Sequence, residues 1–122
     1  MEALPWIGVA VFGALGALGR FTIDAMVSAR WPSSFPFGTF AVNLSGSFVL
    51  GALVGSGVAG DAILVLGVGL LGGYTTFSTW MFEAERLAED GEWSLMWLNL
   101  AAPMVAGLAV TGLGWLVGAG LV

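Results

Sequence analysis

The chain has 122 residues, of which 58% are hydrophobic and only 9% are charged, whereas a typical soluble domain carries about 25% charged residues. This composition excludes an ordinary soluble globular domain and predicts an integral membrane protein. The net charge is −5 and the chain has no cysteine and no histidine, which excludes disulfides, thiolate chemistry, imidazole metal ligands and a basic surface for nucleic acid.

Four segments are predicted to cross the membrane as helices, since about 30 Å of hydrocarbon takes roughly 20 helical residues. The segment 31–36 (WPSSFP) cannot continue a helix, and the acidic stretch that ends at Asp90 and Gly91 forms a further loop. A β-barrel would show apolar and polar residues alternating along its strands, and the sequence shows no such alternation. The fold class is therefore all-α, as one transmembrane domain over 1–122. Its helices are expected at about 5–29, 37–58, 62–84 and 93–117.

The orientation signal in the loops is weak. The chain has three basic residues, and Arg30 and Arg86 fall in loops on the same side of the membrane. A difference of this size hardly biases insertion. The near-balance is compatible with insertion in both orientations, and equally with an ordinary protein that has a poor bias.

Three polar residues in the first and second spans require a reason, because polar side chains are costly in hydrocarbon. Arg20 and Asp24 are four residues apart, so they share a helix face and are expected to pair. Their role is a structural ion pair, a positive field that concentrates anions at a vestibule, or a mixture of the two, which is the role we expect. Asn43 either binds a neighbouring helix or presents its N–H donors to an anion.

The third span contains GGYTTFSTW, in which glycines and hydroxyls interrupt an apolar run. The stretch 72–79 is predicted to break the helix, and such breaks commonly form ion sites. Freed carbonyls suit sodium, whereas freed N–H groups and hydroxyls suit an anion. The ring edge of Phe77 carries partial positive charge that could face an anion, although packing against Trp80 is the plainer explanation.

Small and polar residues also recur in the second and fourth spans. GALVG (51–55) and GWLVG (114–118) each place two glycines four apart on one helix face, which favours close helix packing or merely reflects the abundance of glycine in membrane helices. The fourth span carries one stripe at four-residue spacing, formed by Asn99, Pro103, Gly107 and Thr111.

Three sequence stretches together resemble the Fluc/CrcB family of fluoride channels. They are GALGALGRF (13–21), FPFGTFAVNLSGSFVLG (35–51) and GLLGGYTTFSTWMFE (69–83). The resemblance implies a passive fluoride channel in a prokaryotic plasma membrane, which lowers cytoplasmic fluoride. It further implies an antiparallel, dual-topology homodimer with two pores, and a structural Na⁺ at the dimer centre.

The resemblance also implies roles for individual residues. Backbone carbonyls of Gly72 and Thr75 would hold sodium, and Arg20 would lie at the vestibule. The residues implied along the fluoride path are Asn43, Phe77, Ser78, Thr79, Trp80 and Thr111.

The sequence departs from the family pattern at two places. Trp80 stands where the family has its second pore phenylalanine, so the indole N–H is expected to narrow the pore or to hold the ion more tightly. Replacement of Trp80 by phenylalanine is then expected to preserve or raise flux. The fourth-span stripe is also poor in hydroxyls, because Pro103 and Gly107 occupy positions where polar side chains would help.

Two other kinds of protein are considered. A small multidrug-type exporter would need a carboxylate within its first span, and the stretch 3–19 has none. A non-transporting assembly subunit would use the same polar groups only to join helices. An enzyme is not expected, because the sequence shows no nucleophile–base pair.

Overall fold

The computed structural model describes residues 2–121, all of its regular structure being helical. Four helices are long and apolar enough to cross a membrane, which confirms the predicted helical membrane class. The first helix is Ala3–Arg30, the second is Phe37–Gly55, the third span is Gly60–Glu89 and the fourth helix is Trp93–Gly120.

Glycines with positive φ shape the connections between these helices. The second helix ends at Gly55 rather than at the expected 58, because Gly57 has a φ of +82°, a value that L side chains rarely adopt. Gly60 starts the third span with a φ of +64°, and Gly91 reverses the chain before the fourth helix with a φ of +74°. Short turns therefore join the last three spans.

The second and fourth helices run parallel and touch backbone to backbone. A Cβ atom on Gly51 would overlap the carbonyl of Thr111, and one on Gly118 would overlap the carbonyl of Ala52. Gly55 and Gly114 face the partner helix in the same way. The predicted close-packing role of GALVG and GWLVG is thus confirmed, and the two faces pack against each other.

The first helix and the third span form a second parallel pair. Gly16 and Gly73 lie directly against the backbone of the opposite segment, so a Cβ on either would overlap a carbonyl of Leu70 or Gly13. The molecule is consequently built from two pairs, the first span with the third and the second with the fourth. Each pair joins spans that are not neighbours in sequence.

The third span is divided into several stretches. Gly60–Ile63 is α-helical, Leu64–Leu71 is π-helical and Gly72–Tyr74 is again α-helical. Residues 75–77 are not helical, and the α-helix resumes over Ser78–Glu89. The non-helical residues lie near the middle of the span, where water is scarce and every backbone group needs a partner.

Polar and apolar contacts hold the end of the third span. Arg86 donates from Nε and Nη2 to the carboxylate of Glu83 at 2.9 and 2.6 Å. Its Nη2 also reaches the carbonyl of Ser34 at 3.4 Å. Leu87 and Met96 are buried together below this cluster. The contact with Ser34 ties the first loop to the end of the third span, where Arg86 lies within a helix that reaches Glu89 rather than in the loop expected after 84.

Candidate functional site

The non-helical stretch of the third span is bound by the side chain of Asn43. Asn43 Nδ2 donates to the carbonyl of Thr76 at 2.8 Å, and Asn43 Oδ1 accepts from the N–H of Thr76 at 2.8 Å. One carboxamide therefore satisfies both backbone groups of a residue that lies outside the helix. Nδ2 carries a second hydrogen, and Asn43 lines an open groove.

These contacts leave two backbone carbonyls without their usual helical donors. In a continuous α-helix the N–H of Thr76 would donate to Gly72, and that of Thr79 would donate to Thr75. Here the Thr76 N–H is given to Asn43, and the Thr79 N–H is given to Thr76 Oγ1 at 3.2 Å. Thr75 is extended, with φ −81° and ψ 159°, which turns its carbonyl away from the helical direction.

Arg20 contacts the same stretch, but not through the pairing expected from its spacing. Its Nε lies 3.4 Å from the carbonyl of Gly73. The prediction of an Arg20–Asp24 ion pair is wrong, since both salt bridges found among residues 2–121 involve Arg86. Asp24 Oδ1 instead accepts the hydroxyl of Ser28 at 3.2 Å, beneath Gly38. Because the first helix packs closely on the third span, the side chain of Arg20 reaches the backbone of the third span at Gly73.

A groove of about 550 Å³ opens on one side of the molecule beside residues 75–77. Phe77 is 69% exposed, and its ring meets that of Trp80 edge to face, with centroids 5.9 Å apart and planes at 90°. Across the part of the chain that the structure describes, the groove has no charged side chain in its lining. Of the residues predicted from sequence, it brings together Asn43, Gly72, Thr75, Phe77, Trp80 and Thr111.

A second, much smaller cavity lies on the other side of Thr76. Its volume is about 10 Å³, close to the least that holds one water molecule. Arg20 and Thr79 line this cavity rather than the groove, together with Asp24 and Thr39. Ser78 is exposed and contacts only the Thr76 hydroxyl at 3.5 Å among its side-chain hydrogen bonds. The predicted residues thus divide between two spaces that share Thr76.

Several hydroxyls in the groove donate to their own helices. Thr111 Oγ1 donates to the carbonyl of Gly107 at 2.7 Å, and Thr75 Oγ1 donates to Leu71 at 2.8 Å. A hydroxyl has a single hydrogen, so these two groups present lone pairs to the groove in the observed rotamers. Among the groups that line the groove, the donors that remain are the second Asn43 N–H and the hydroxyls of Ser47 and Thr76. The start of Ser78–Glu89 adds the positive end of a helix dipole, although the Thr79 N–H is already donated to Thr76 Oγ1.

Sequence reasoning overlooked the contact between Trp80 and Asn99. Trp80 Nε1 donates to the backbone carbonyl of Asn99 at 2.6 Å, so the indole N–H does not point to an ion as expected. Thr76 was also not singled out, although it bonds to Asn43 and caps the following helix. A signal for the first contact was present, because Pro103 removes the N–H that would serve Asn99.

Comparison of the sequence with known proteins places this chain in a family. The family model described as CrcB-like protein, Camphor Resistance (CrcB), matches residues 7–115. The fluoride-specific ion channel FluC 2 of Mycobacterium tuberculosis is 44% identical over 109 residues, covering 89% of this chain and 86% of the relative. FluC 1 of Leifsonia xyli is 42% identical over 123 residues, covering 97% of this chain and 90% of the relative.

A third relative extends the range of organisms. FluC 1 of Geobacillus kaustophilus is 41% identical over 110 residues, covering 90% of this chain and 94% of the relative. The match therefore includes all four spans, the groove and the non-helical stretch. The expected resemblance is confirmed, and the chain belongs to the CrcB-like family.

Proposed function

We propose that this protein is a passive, fluoride-selective ion channel that lets fluoride leave the cytoplasm. The observation that carries the proposal is the groove at residues 75–77, where neutral donors and an exposed aromatic ring lie near the middle of a membrane span. Family membership supports the same function, since the relatives are named fluoride-specific ion channels.

The chemistry of the groove suits a small, strongly hydrated anion. A narrow path must replace the water around fluoride with hydrogen-bond donors. The second N–H of Asn43 and the hydroxyls of Ser47 and Thr76 provide donors without a full positive charge, and the helix dipole of Ser78–Glu89 and the edge of Phe77 add partial positive charge. A cationic side chain that reached into the fluoride path would bind fluoride too strongly for release. Arg20 lies behind Thr76, where its charge attracts anions without lying in the groove.

A second copy of the chain completes the path in this proposal. The groove opens on one side of the single chain, and Phe77 and Gly72 are exposed there. Polar groups at this depth cannot face lipid. We therefore propose a homodimer, with the two copies inverted relative to each other because the loops carry almost no orientation bias.

A structural sodium ion fits the carbonyls of Gly72 and Thr75. Both residues line the groove, and the N–H groups that would serve their carbonyls are donated to Asn43 and Thr76 instead. Carbonyls of unwound membrane helices are suited to Na⁺. Among residues 2–121 no cluster of His, Cys, Asp or Glu could hold a metal ion, so carbonyl ligation is the chemistry that this chain offers. The ion would supply a fixed positive charge that holds the interrupted span in place.

Transport in this proposal follows the gradient and the membrane potential. An inside-negative potential favours the exit of an anion by about 2.3 kcal/mol per 100 mV. We place the protein in the plasma membrane of a prokaryote, in keeping with the bacterial sources of its relatives. No carboxylate lines the groove within residues 2–121, which favours passive flow over proton coupling.

The decisive test is efflux from liposomes that contain the purified full chain. A fluoride electrode should record rapid release after a potassium ionophore is added, and a chloride electrode should record almost none. Equal fluxes of the two ions would refute selectivity. No flux of either ion would favour a non-transporting assembly subunit, and proton-linked uptake of a cationic dye would favour a small multidrug-type exporter.

The inverted arrangement can be tested with introduced cysteines, because the chain has none of its own. A cysteine at exposed Ser33 should be labelled by an impermeant thiol reagent from both faces of the membrane. Labelling from one face alone would contradict dual topology. The sodium proposal predicts that replacing Na⁺ by a large organic cation lowers the melting temperature of the protein, and an unchanged melting temperature would contradict it.

A further inference from the structure

The contact between the third span and the fourth helix compensates for a proline. Pro103 lies inside the fourth helix, and proline has no N–H to donate to the carbonyl four residues earlier. That carbonyl belongs to Asn99, and Trp80 Nε1 donates to it at 2.6 Å. Asn99 is only 1% exposed, so water cannot serve this carbonyl.

The same two residues make a second, reciprocal contact. Asn99 Nδ2 lies 3.4 Å from the backbone carbonyl of Trp80. The indole and the carboxamide thus bridge the two segments in both directions. We call this pair of hydrogen bonds the Trp80–Asn99 contact.

We propose that Trp80 is a positioning residue whose indole N–H replaces the hydrogen bond removed by Pro103 and thereby fixes the ring of Phe77 in the groove. This inference rests on the proposed channel function. Trp80 and Pro103 are consequently coupled in energy: Pro103 leaves the Asn99 carbonyl without its helical donor, and Trp80 supplies a donor in its place.

The geometry assigns the indole N–H to the protein rather than to an ion. Indole has one donor and no acceptor, and its hydrogen is given to Asn99 at 2.6 Å. A donor used in this way cannot also bind an anion in the groove. Trp80 therefore acts on the path only through what its ring contacts.

The ring of Trp80 contacts Phe77. The two planes lie at 90° with centroids 5.9 Å apart, the edge-to-face arrangement that aromatic quadrupoles favour. Phe77 is otherwise largely exposed, so Trp80 is the aromatic neighbour that defines its orientation. Loss of the indole hydrogen bond would free the ring of Trp80 to rotate, and the ring of Phe77 would lose the aromatic contact that sets its orientation.

The test is a double-mutant cycle with Trp80→Phe and Pro103→Ala in the full chain. Alanine at 103 supplies the backbone N–H that Asn99 lacks, so the indole is no longer needed. Because the indole bonds to Asn99 rather than to an ion, the expectation from sequence is reversed: Trp80→Phe should lower fluoride flux roughly tenfold in the parent, the size expected for losing one buried hydrogen bond. In the Pro103→Ala background the same substitution should change flux less than about twofold. Trp97→Phe is the control, since Trp97 is 65% exposed on the fourth helix.

Two further measurements distinguish positioning from general stability. The indole ¹⁵N–¹H signal of Trp80, assigned by its loss in Trp80→Phe, should shift upfield in Pro103→Ala as the new amide competes for the carbonyl. The melting temperature should fall in Trp80→Phe and recover in the double variant. If Trp80→Phe does not fold, recovery of folding by Pro103→Ala supports the proposal.

The proposal is overturned if Trp80→Phe leaves flux unchanged, or if Pro103→Ala fails to rescue it. An equal loss in both backgrounds would mean that the indole acts on the ion directly. Failure of the channel function itself is recognised separately, because the parent would then pass no fluoride. The indole signal and the melting temperatures would still decide whether the Trp80–Asn99 contact compensates for Pro103.

Discussion

Two asparagines in neighbouring helices hold the third span in different ways. Asn43, on the second helix, bonds both backbone groups of Thr76 at 2.8 Å and lines the open groove. Asn99, on the fourth helix, is 1% exposed, and its side chain reaches the carbonyl of Trp80 at the longer distance of 3.4 Å. The main hydrogen bond at Asn99 uses its backbone carbonyl.

The difference shows how one residue type serves a site in one place and packing in another. Asn43 stabilises a non-helical stretch and keeps a second N–H beside the groove, so its side chain has both structural and chemical roles. Asn99 is sealed between helices, and its side chain adds only a weak contact. Substitutions at Asn43 should therefore alter conduction, whereas substitutions at Asn99 should mainly alter stability.

The largest effect is expected for Asn43→Asp. The carboxylate keeps an acceptor for Thr76 but removes the donor and adds negative charge beside an anion path. At about 4 Å and an effective dielectric constant near 20 this repulsion is about 4 kcal/mol, so fluoride flux should fall by at least about 100-fold. The measurement is liposome efflux, with gel filtration as the folding control. Flux within tenfold of the parent would show that the path avoids Asn43.

Phe77→Ile should reduce fluoride flux by about ten- to 100-fold while the oligomeric state is preserved. The substitution removes the ring edge but keeps an apolar side chain, and one or two hydrogen-bond equivalents correspond to this range. The matched control is Phe82→Ile, because Phe82 is 65% exposed on the same span and does not line the groove. Equal effects at the two positions would assign Phe77 to packing alone.

Gly118→Ala tests how strongly the close approach of the second and fourth helices, which carry the two asparagines, stabilises the protein. Its Cβ would overlap the carbonyl of Ala52, and overpacking of this kind costs about 1–3 kcal/mol. Gly112→Ala is the control, since a Cβ there meets nothing within 4 Å. The melting temperature should fall only in Gly118→Ala. Alanine has a higher helix propensity than glycine, so a similar loss in both variants would show that the fall does not come from the close approach at Gly118.

The smallest effect is expected for Asn99→Leu, which keeps the backbone carbonyl that Trp80 uses. Only the 3.4 Å side-chain contact is lost, and interhelical hydrogen bonds in membranes average about 0.6 kcal/mol. A slightly lower melting temperature and nearly parental flux are expected. A loss of flux as large as that of Asn43→Asp would remove the distinction between the two asparagines.

The sequence alone was sufficient for the membrane class and the number of spans, and it offered close packing as one of two explanations for the glycine pairs. These properties follow from local chemistry, because hydropathy, helix length and small-residue spacing act within one segment. It also identified Asn43, Thr75 and Thr111 among the polar residues of the groove, since polar groups in hydrocarbon stand out by their cost, but it did not single out Thr76. The family was identified separately, from the three sequence stretches that resemble Fluc/CrcB fluoride channels.

The tertiary structure alone decided which polar groups meet. The contacts of Arg20 with Gly73, Asn43 with Thr76 and Trp80 with Asn99 join residues 53, 33 and 19 positions apart. Helical spacing favoured Asp24 for Arg20, and the family resemblance implied an ion for the indole of Trp80, because neither local periodicity nor a motif shows which segments pack together. That choice is made when the first span packs on the third and the second on the fourth, and it determines where each donor is used.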